Sequence, residues 1–317
     1  MSLNNKEKQM NLTRISRASV AVAAVAGLAS VGLVAPAEAA TRSTVVIVES
    51  NALTSLNSST PDTNLTINSD VAYLTGAGFV YYDDKANLQR NTALGSFKIT
   101  KNATKDFQVT YTVRKGQVWS DGTPIDGVDM LMSHVLSSSA YSKAAGLGDP
   151  SSTDTKPAFD SLGYGGVYDS HVVGNPVLSK DKMSVTIKYD GFQPDWEILG
   201  PGVAPVHTYE LLAAGKTALG TAAANAAAKA KFLADFNSKN TAVLKKIGSI
   251  WSTGYNIKTV NASTNPLLLV GNGAYKVASA VADQSVTLTL NPKYTSGPKT
   301  SGIKTIVLKM IADGTAA

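Results

Sequence analysis

The residue types that commonly carry enzymatic or metal chemistry are few in this sequence and lie far apart. The chain contains no cysteine and three histidines, and none of His134, His171 and His207 has a partner at metal-ligand spacing. Neither Gly-x-Ser-x-Gly nor His-Glu-x-x-His occurs, which disfavours the common nucleophilic and zinc-dependent hydrolases. A secreted enzyme is therefore the weakest of the functional hypotheses.

Two other stretches could suggest ion or phosphate binding. Asp149, Asp154 and Asp160 lie in a long loop rich in Gly, Ser and Pro, but their spacing is not that of a calcium loop. The glycines of 271–273 lead into a strand pattern, whereas a phosphate-binding loop leads into a helix. We therefore expect no metal and no cofactor, and a chain that binds rather than catalyses.

The most informative stretch is 114–129, in which a strand, a turn and a helix follow one another. Apolar and polar residues alternate over 107–114, as in a strand with one buried face. The run Ser-Asp-Gly-Thr-Pro at 120–124 is a strong turn signal, because glycine accepts positive φ and aspartate bonds nearby backbone NH groups. Asp126 is a candidate N-cap for the following helix, with Asp129 three residues later.

This stretch resembles the signature of the extracytoplasmic solute-binding proteins of ABC transporters, the oligopeptide- and dipeptide-binding family, family 5. The resemblance departs at Gly127, where the family favours alanine, and at Val128, where it favours an acid. The matching residues are Arg114, Lys115, Gly116, Trp119, Ser120, Asp121, Gly122, Thr123, Pro124 and Asp129.

Four further segments resemble the same family and extend the likeness over nearly all of the chain after the N-terminal region. They are 78–83, 202–210, 271–276 and 291–294. The resemblance implies an α/β fold with mixed sheets, namely a periplasmic-binding-protein-like type II lobe with an inserted subdomain. The segment near 310–313 leads into a second lobe in the family, and that lobe is missing from this sequence.

Most of the motif residues are expected to be structural. Trp119 is predicted to anchor the core and Asp121 to close the turn, rather than to touch a ligand. The same mainly structural role is predicted for the other residues carried over from the family: Ser120, Gly122, Thr123, Pro124, Asp129, Gly273 and Tyr275.

The resemblance also implies three weak candidates for ligand contact. Asp62 and Thr63 lie in the polar loop after the first strand, which approaches the ligand cleft in the family; a solvated loop is the alternative. Tyr141 stands where oligopeptide-binding relatives often place an aromatic residue near the cleft; surface packing is the alternative.

The N-terminal region has the pattern of a secretory signal peptide over 1–39. A basic start precedes an apolar run, and Ala37-Glu38-Ala39 fits a cleavage site before Ala40. An uncleaved membrane anchor is the weaker alternative, since the run is short and rich in small residues. We expect export to the cell envelope or beyond it, without a lipid anchor through cysteine.

Several elements and the domain order follow from the remaining pattern. We predict a buried first strand at 44–48, a hairpin of strands 97–100 and 107–114 with its turn at 102–106, a surface helical insertion over 221–251 and a final strand at 303–311. A partner-binding helix is the alternative for the insertion. The predicted domains are a signal peptide (1–39), a discontinuous first lobe (40–78 and 195–312), an inserted subdomain (79–194) and the entry to the absent second lobe (313–317).

The leading functional hypothesis is the solute-binding component of an ABC importer that delivers oligopeptides or dipeptides to permease subunits. The net charge of +6 is dispersed without a basic and aromatic run, so nucleic acid is not an expected partner. A truncated remnant or secreted interaction protein without solute binding is the alternative, and nickel complexes, haem or sugars are less favoured solutes. With one lobe, we expect weak peptide binding and a tendency to associate.

Overall fold

The computed structural model describes residues 43–300 and 302–311. They belong to one compact unit, residues 41–317. The predicted signal peptide and the predicted entry to a second lobe, 313–317, lie outside the described residues. No helix in the described part of the chain combines the length and apolar character needed to cross a membrane.

Strands and helices alternate along the chain in a mixed α/β order. The ten strands of the described region are β1 (Thr44–Glu49), β2 (Val80–Tyr82), β3 (Leu88–Arg90), β4 (Gly95–Ala103), β5 (Asp106–Val113), β6 (Val177–Leu178), β7 (Ser184–Tyr189), β8 (Tyr275–Val281), β9 (Ser285–Leu290) and β10 (Thr305–Met310). Its α-helices are α1 (Thr66–Thr75), α2 (Gly127–Ser137), α3 (Ser139–Ala144), α4 (Val167–His171), α5 (Val206–Ala213), α6 (Ala222–Ser238) and α7 (Thr241–Ser249). A π-helical turn (Ile250–Gly254) and a 3-10 turn (Pro266–Leu269) complete the order.

A four-stranded sheet in the order β1-β10-β9-β8 carries the first and last strands of the described region. β1 and β10 are parallel, while β10, β9 and β8 are antiparallel neighbours. α1 packs against β8 of this sheet, and its Ile67 and Val71 belong to the same buried core as Leu288 and Leu308. This sheet and its helix form the smaller of two hydrophobic cores.

The prediction that the first strand is buried is wrong. β1 forms as predicted, but it lies at an edge of the sheet, and Val45, Val46, Ile47 and Val48 are 37–57% exposed. Within the described residues β10 is the only strand that pairs with it. The continuous apolar run predicts burial on both faces, yet no described element covers either face at this edge.

A second four-stranded sheet in the order β4-β5-β7-β6 lies within the predicted inserted subdomain, whose boundaries stay a prediction. The predicted hairpin of β4 and β5 is confirmed, with an antiparallel register from Gly95–Val113 to Ala103–Asp106. Burial alternates along β5 as the sequence pattern predicts, because its apolar side chains point into the larger core and its polar ones do not.

The predicted surface insertion over 221–251 is only partly right, since its helices lie on the surface but supply part of the larger core. α6 packs on α5 and buries Phe232 and Phe236, while α7 buries Leu244 and Ile247 and the π-helical turn buries Trp251. A spacing of three or four residues brings each pair to one side of its own helix, and burial of that side holds the helix in place.

Candidate functional site

The strand, turn and helix of 114–129 form a tightly bonded segment. Trp119 N donates to Thr123 O at 2.8 Å, and Gly122, at φ +96°, occupies the left-handed conformation that glycine adopts without strain. Asp121 Oδ1 accepts from Thr123 N at 2.9 Å, which closes the turn. These bonds hold Trp119, before the turn, and Asp121, within it, in fixed positions.

The start of α2 is closed by a reciprocal capping box. Asp126 Oδ1 accepts from Val128 N at 2.9 Å, and Asp129 Oδ2 accepts from Asp126 N at 3.0 Å. The N-cap predicted at Asp126 is therefore confirmed. Asp129 Oδ2 also accepts from Trp119 Nε1 at 3.3 Å, so the same carboxylate fixes the helix start and the indole.

A group of buried charges joins this segment to α5 and α6; we call Asp121, Asp126, Asp129, His207 and Lys229 the buried charge cluster. Lys229 Nζ lies 2.9 Å from Asp126 Oδ1 and 2.8 Å from Asp129 Oδ2. His207 Nε2 lies 3.0 Å from Asp121 Oδ2. The cluster links α6 to a turn about a hundred residues earlier in the chain.

Burial and pairing act in opposite directions on the carboxylates of the cluster. Burial raises the pKa of Asp129, although the nearby Lys229 ammonium opposes that shift. At Asp121 burial also raises the pKa, but hydrogen bonds from His207 and Thr123 outweigh it and hold the pKa below its usual value.

Trp119 also lines a depression of about 280 Å³, which we call the aromatic crevice. Its aromatic side chains are Trp119, Tyr209 on α5 and Tyr255 after the π-helical turn. The remaining lining residues are apolar or uncharged: Leu56, Ser59, Ala72, Thr75, Gly76, Val203, Ala204, Pro205, Leu268, Leu269, Val270, Gly271, Asn272 and Val277. No charged side chain is among these described residues, so the crevice suits an uncharged, partly apolar group.

One wall of the crevice is the loop 268–272, and the motif fixes its position. Ser120 N donates to Gly271 O at 2.9 Å, while Ser120 Oγ accepts from Gly271 N at 3.2 Å. The chain then passes so close to the end of α1 that a Cβ on Gly273 would lie 2.3 Å from the carbonyl carbon of Thr75. This close approach requires glycine, as the sequence predicts.

The loop after β1 reaches the crevice through Tyr255. Leu56 N and Ser55 Oγ donate to Tyr255 O at 3.0 and 3.1 Å. Burial raises the pKa of the Tyr255 hydroxyl to about 12, and it also raises the pKa of Tyr209. Both hydroxyls therefore stay protonated near neutral pH.

The three residues predicted to touch a ligand lie outside the crevice lining; Asp62 and Thr63 are neighbours in the loop after β1, and Tyr141 is on α3. Asp62 is a surface carboxylate 3.7 Å from Lys156 Nζ, and Thr63 is buried with its hydroxyl 2.7 Å from Thr60 Oγ1. Tyr141 is buried, stacks on Phe236 and donates its hydroxyl to Phe236 O at 2.8 Å. Their ligand contacts stay a prediction.

The sequence alone does not identify Tyr209 and Tyr255 as crevice residues, and it assigns Trp119 to the core rather than to a ligand site. Tyr209 lies in a segment that resembles the family, but nothing in its local pattern distinguishes it from a packing residue. Tyr255 and the apolar wall carry no motif at all. Of the predicted structural residues, Gly273 contacts α1, and Tyr275 donates its hydroxyl to Ile303 O at 2.9 Å. Within 43–300 and 302–311 no group of three or more His, Cys, Asp or Glu residues is arranged to hold a metal ion.

Comparison with the profiles of known protein families assigns the chain to one of them. Residues 98–317 match the profile of the bacterial extracellular solute-binding proteins, family 5. The chain therefore belongs to this family of binding proteins. A search of curated proteins finds no match to the sequence.

Solved structures share the fold at low sequence identity. A periplasmic EDTA-binding protein matches at a TM-score of 0.58 and 20% identity, over 86% of this chain and 40% of that chain. The oligopeptide-binding protein of Thermus thermophilus, complexed with a pentapeptide, matches at 0.54 and 17%, over 86% of this chain and 42% of that chain. The oligopeptide-binding protein AppA of Bacillus subtilis, in complex with a nonapeptide, matches at 0.55 and 15%, over 86% and 41%. The chain thus spans about two fifths of the length of these proteins.

Proposed function

We propose that this protein is the solute-binding component of an ABC importer and that it binds peptides outside the cytoplasmic membrane. The aromatic crevice is the observation that carries the proposal. It combines an apolar and aromatic lining with the half-buried loop 268–272 as one wall, which suits the side chain of a bound peptide. Permease subunits are the proposed protein partners, and the predicted signal peptide would direct export.

The chemistry of the crevice favours an apolar peptide side chain over a polyanionic solute. A polyanion such as the EDTA bound by one similar protein needs cationic partners when it is desolvated, and the crevice lining offers none. An apolar or aromatic peptide side chain needs only contact with rings and methyl groups. We therefore propose peptides that carry at least one large apolar side chain.

Filling the crevice tests the proposal. Ala204 lines it, so Ala204→Phe should occupy the space that a peptide side chain would enter. We expect calorimetry with a library of short apolar peptides to show saturable binding, weakened about tenfold or more by the substitution. Ala227→Phe is the matched control, because Ala227 is exposed on α6 and does not line the crevice.

Two outcomes would reject this function. Absence of saturable heat with the unsubstituted chain would favour the alternative of a protein that binds no solute. Equal affinity for Ala204→Phe and Ala227→Phe would place any peptide site elsewhere on the molecule.

A further inference from the structure

A second depression, of about 480 Å³, lies between the end of α1, β2 and the loop 294–300; we call it the tyrosine pocket. Tyrosines from four different segments line it: Tyr73 on α1, Tyr81 on β2, Tyr275 at the start of β8 and Tyr294 after β9. The rest of its lining is apolar or glycine, apart from Asn91, Lys299 and Thr300. Aromatic rings from distant parts of the chain are thus gathered around one space.

The walls of the tyrosine pocket are tied together by hydrogen bonds and close packing. Asn91 is 4% exposed, and its Nδ2 donates to Gly78 O at 2.8 Å and to Ser296 O at 2.7 Å. The loop passes so close to Tyr294 that a Cβ on Gly297 would lie 2.1 Å from the tyrosine hydroxyl oxygen. These contacts hold the walls in place, so a ligand would meet a preformed site.

The polar groups of the pocket are mainly hydrogen-bond donors. Among the described residues, the Tyr275 hydroxyl donates to Ile303 O, whereas those of Tyr73, Tyr81 and Tyr294 have no partner. Burial raises the pKa of Tyr294, with further contributions from Tyr81 and Tyr73, which places the three hydroxyls near one another. The ammonium of the exposed Lys299 adds a further donor.

The lining contains no carboxylate, which limits the ligands that it suits. A sugar brings a donor with every hydroxyl group, and each desolvated donor needs an acceptor. A proline-rich segment brings the opposite pattern, because proline keeps its carbonyl acceptor but has no N–H, and its ring is apolar. Such segments adopt the polyproline II conformation before binding, so they dock on aromatic-lined grooves at a low cost in entropy.

We propose that the tyrosine pocket binds a proline-rich peptide segment in the polyproline II conformation. The proline rings pack on the tyrosine rings, while the unpaired tyrosine hydroxyls and Lys299 donate to the backbone carbonyls of the segment. Ala72 and Gly76 line both this pocket and the aromatic crevice, so the two depressions are neighbours, but they share no aromatic residue. The site is therefore an addition to the proposed solute site and does not depend on it.

Calorimetry with an N-acetylated hexaproline amide tests the site, with a Gly-Ser hexapeptide blocked in the same way as the flexible, donor-bearing comparison. We expect saturable binding of hexaproline and none of the Gly-Ser peptide. Tyr73→Ala should weaken hexaproline binding about fivefold or more, because it removes one ring of the pocket. Tyr82→Ala is the matched control and should change it less than about twofold, since Tyr82 neighbours Tyr81 on β2 but does not line the pocket.

Tyr73 and Tyr82 are 63% and 57% exposed, so both alanine variants should fold, and circular dichroism and the melting temperature verify this. Tyr294→Phe keeps the ring but removes a donor, and it should weaken hexaproline binding about threefold or more. Ala204→Phe, which fills the crevice, should leave hexaproline binding unchanged.

Five results would overturn the proposal. Hexaproline might give no saturable heat, or the Gly-Ser peptide might bind equally well. Tyr73→Ala and Tyr82→Ala might bind hexaproline alike. Weaker binding in Ala204→Phe would place hexaproline in the crevice instead, and tighter binding of cellohexaose than of hexaproline would assign the tyrosine pocket to sugars.

Discussion

At the scale of single residues, the buried polar side chains are those whose charge bears most on stability. Asp129 bonds a helix N-terminus, an indole and an ammonium at once. His134 is a second example, because it lies in the core beside Tyr168, with Nδ1 2.8 Å from the tyrosine hydroxyl. Because these groups are buried, the free energy of unfolding depends on their protonation states.

His134 gives a prediction for pH. Burial lowers the pKa of its imidazole to about 4, although a hydrogen bond with Asn175 and the charge of Asp169 oppose the shift. In the unfolded chain the pKa of histidine is about 6.5, so between about pH 6.5 and 4 the unfolded state binds a proton that the folded state does not. The free energy of unfolding should therefore fall as pH is lowered through this range, by on the order of 3 kcal/mol from this group.

Urea unfolding at several pH values measures that slope. His134→Gln should flatten it between pH 4 and 6.5, because the substituted side chain does not titrate. Ala227→Gln is the control, since Ala227 is exposed on α6 and neither side chain titrates, and its slope should match the unsubstituted chain. A slope for His134→Gln as steep as that of the control would show that His134 does not contribute.

At the scale of elements, α6 is joined to the start of α2 by Lys229, whose side chain is 8% exposed. Lys229→Met should cost about 3–5 kcal/mol of unfolding free energy, because Asp129 would remain buried without its cation. Urea unfolding measures this loss. Lys245→Met, on exposed α7 surface, should change stability by less than about 0.5 kcal/mol.

A double substitution separates charge from packing. Asp129→Asn combined with Lys229→Met removes the fully buried charge of Asp129 and leaves only the partly exposed Asp126 carboxylate without its cation, so it should recover part of the stability lost in Lys229→Met. If Lys229→Met costs no more than Lys245→Met, the link between α6 and α2 is not electrostatic.

The elements also show what the sequence can and cannot predict. The hairpin of β4 and β5 and the cap at Asp126 follow from local pattern, since alternation and capping involve neighbours in the chain. The burial of Lys229 and the aromatic crevice depend on residues a hundred or more positions apart, and no local pattern encodes their meeting. The same reason explains the error on β1, because its burial depends on what packs against it.

At the scale of the whole molecule, two sheets with separate cores meet at the segments that carry the family resemblance. Ser120 bonds the loop at Gly271, and Asn272 bonds both the N and the O of Ala77 at 2.9 Å. These bonds hold α1, the motif turn and the crevice wall together. The exposed apolar edge at β1 lies in the same unit. The tendency to associate that the sequence predicts stays a prediction.

Binding of a solute in the aromatic crevice can be measured directly by NMR of the tryptophan indole groups. Three indole N–H signals are expected from the 15N-labelled protein, and only Trp119 lines the crevice. Trp196→Phe and Trp251→Phe assign the remaining signals. Titration with an apolar peptide should shift the Trp119 signal in a saturable manner and leave those of Trp196 and Trp251 in place. If calorimetry shows binding but the Trp119 signal does not move at saturating peptide, the peptide does not bind in the aromatic crevice.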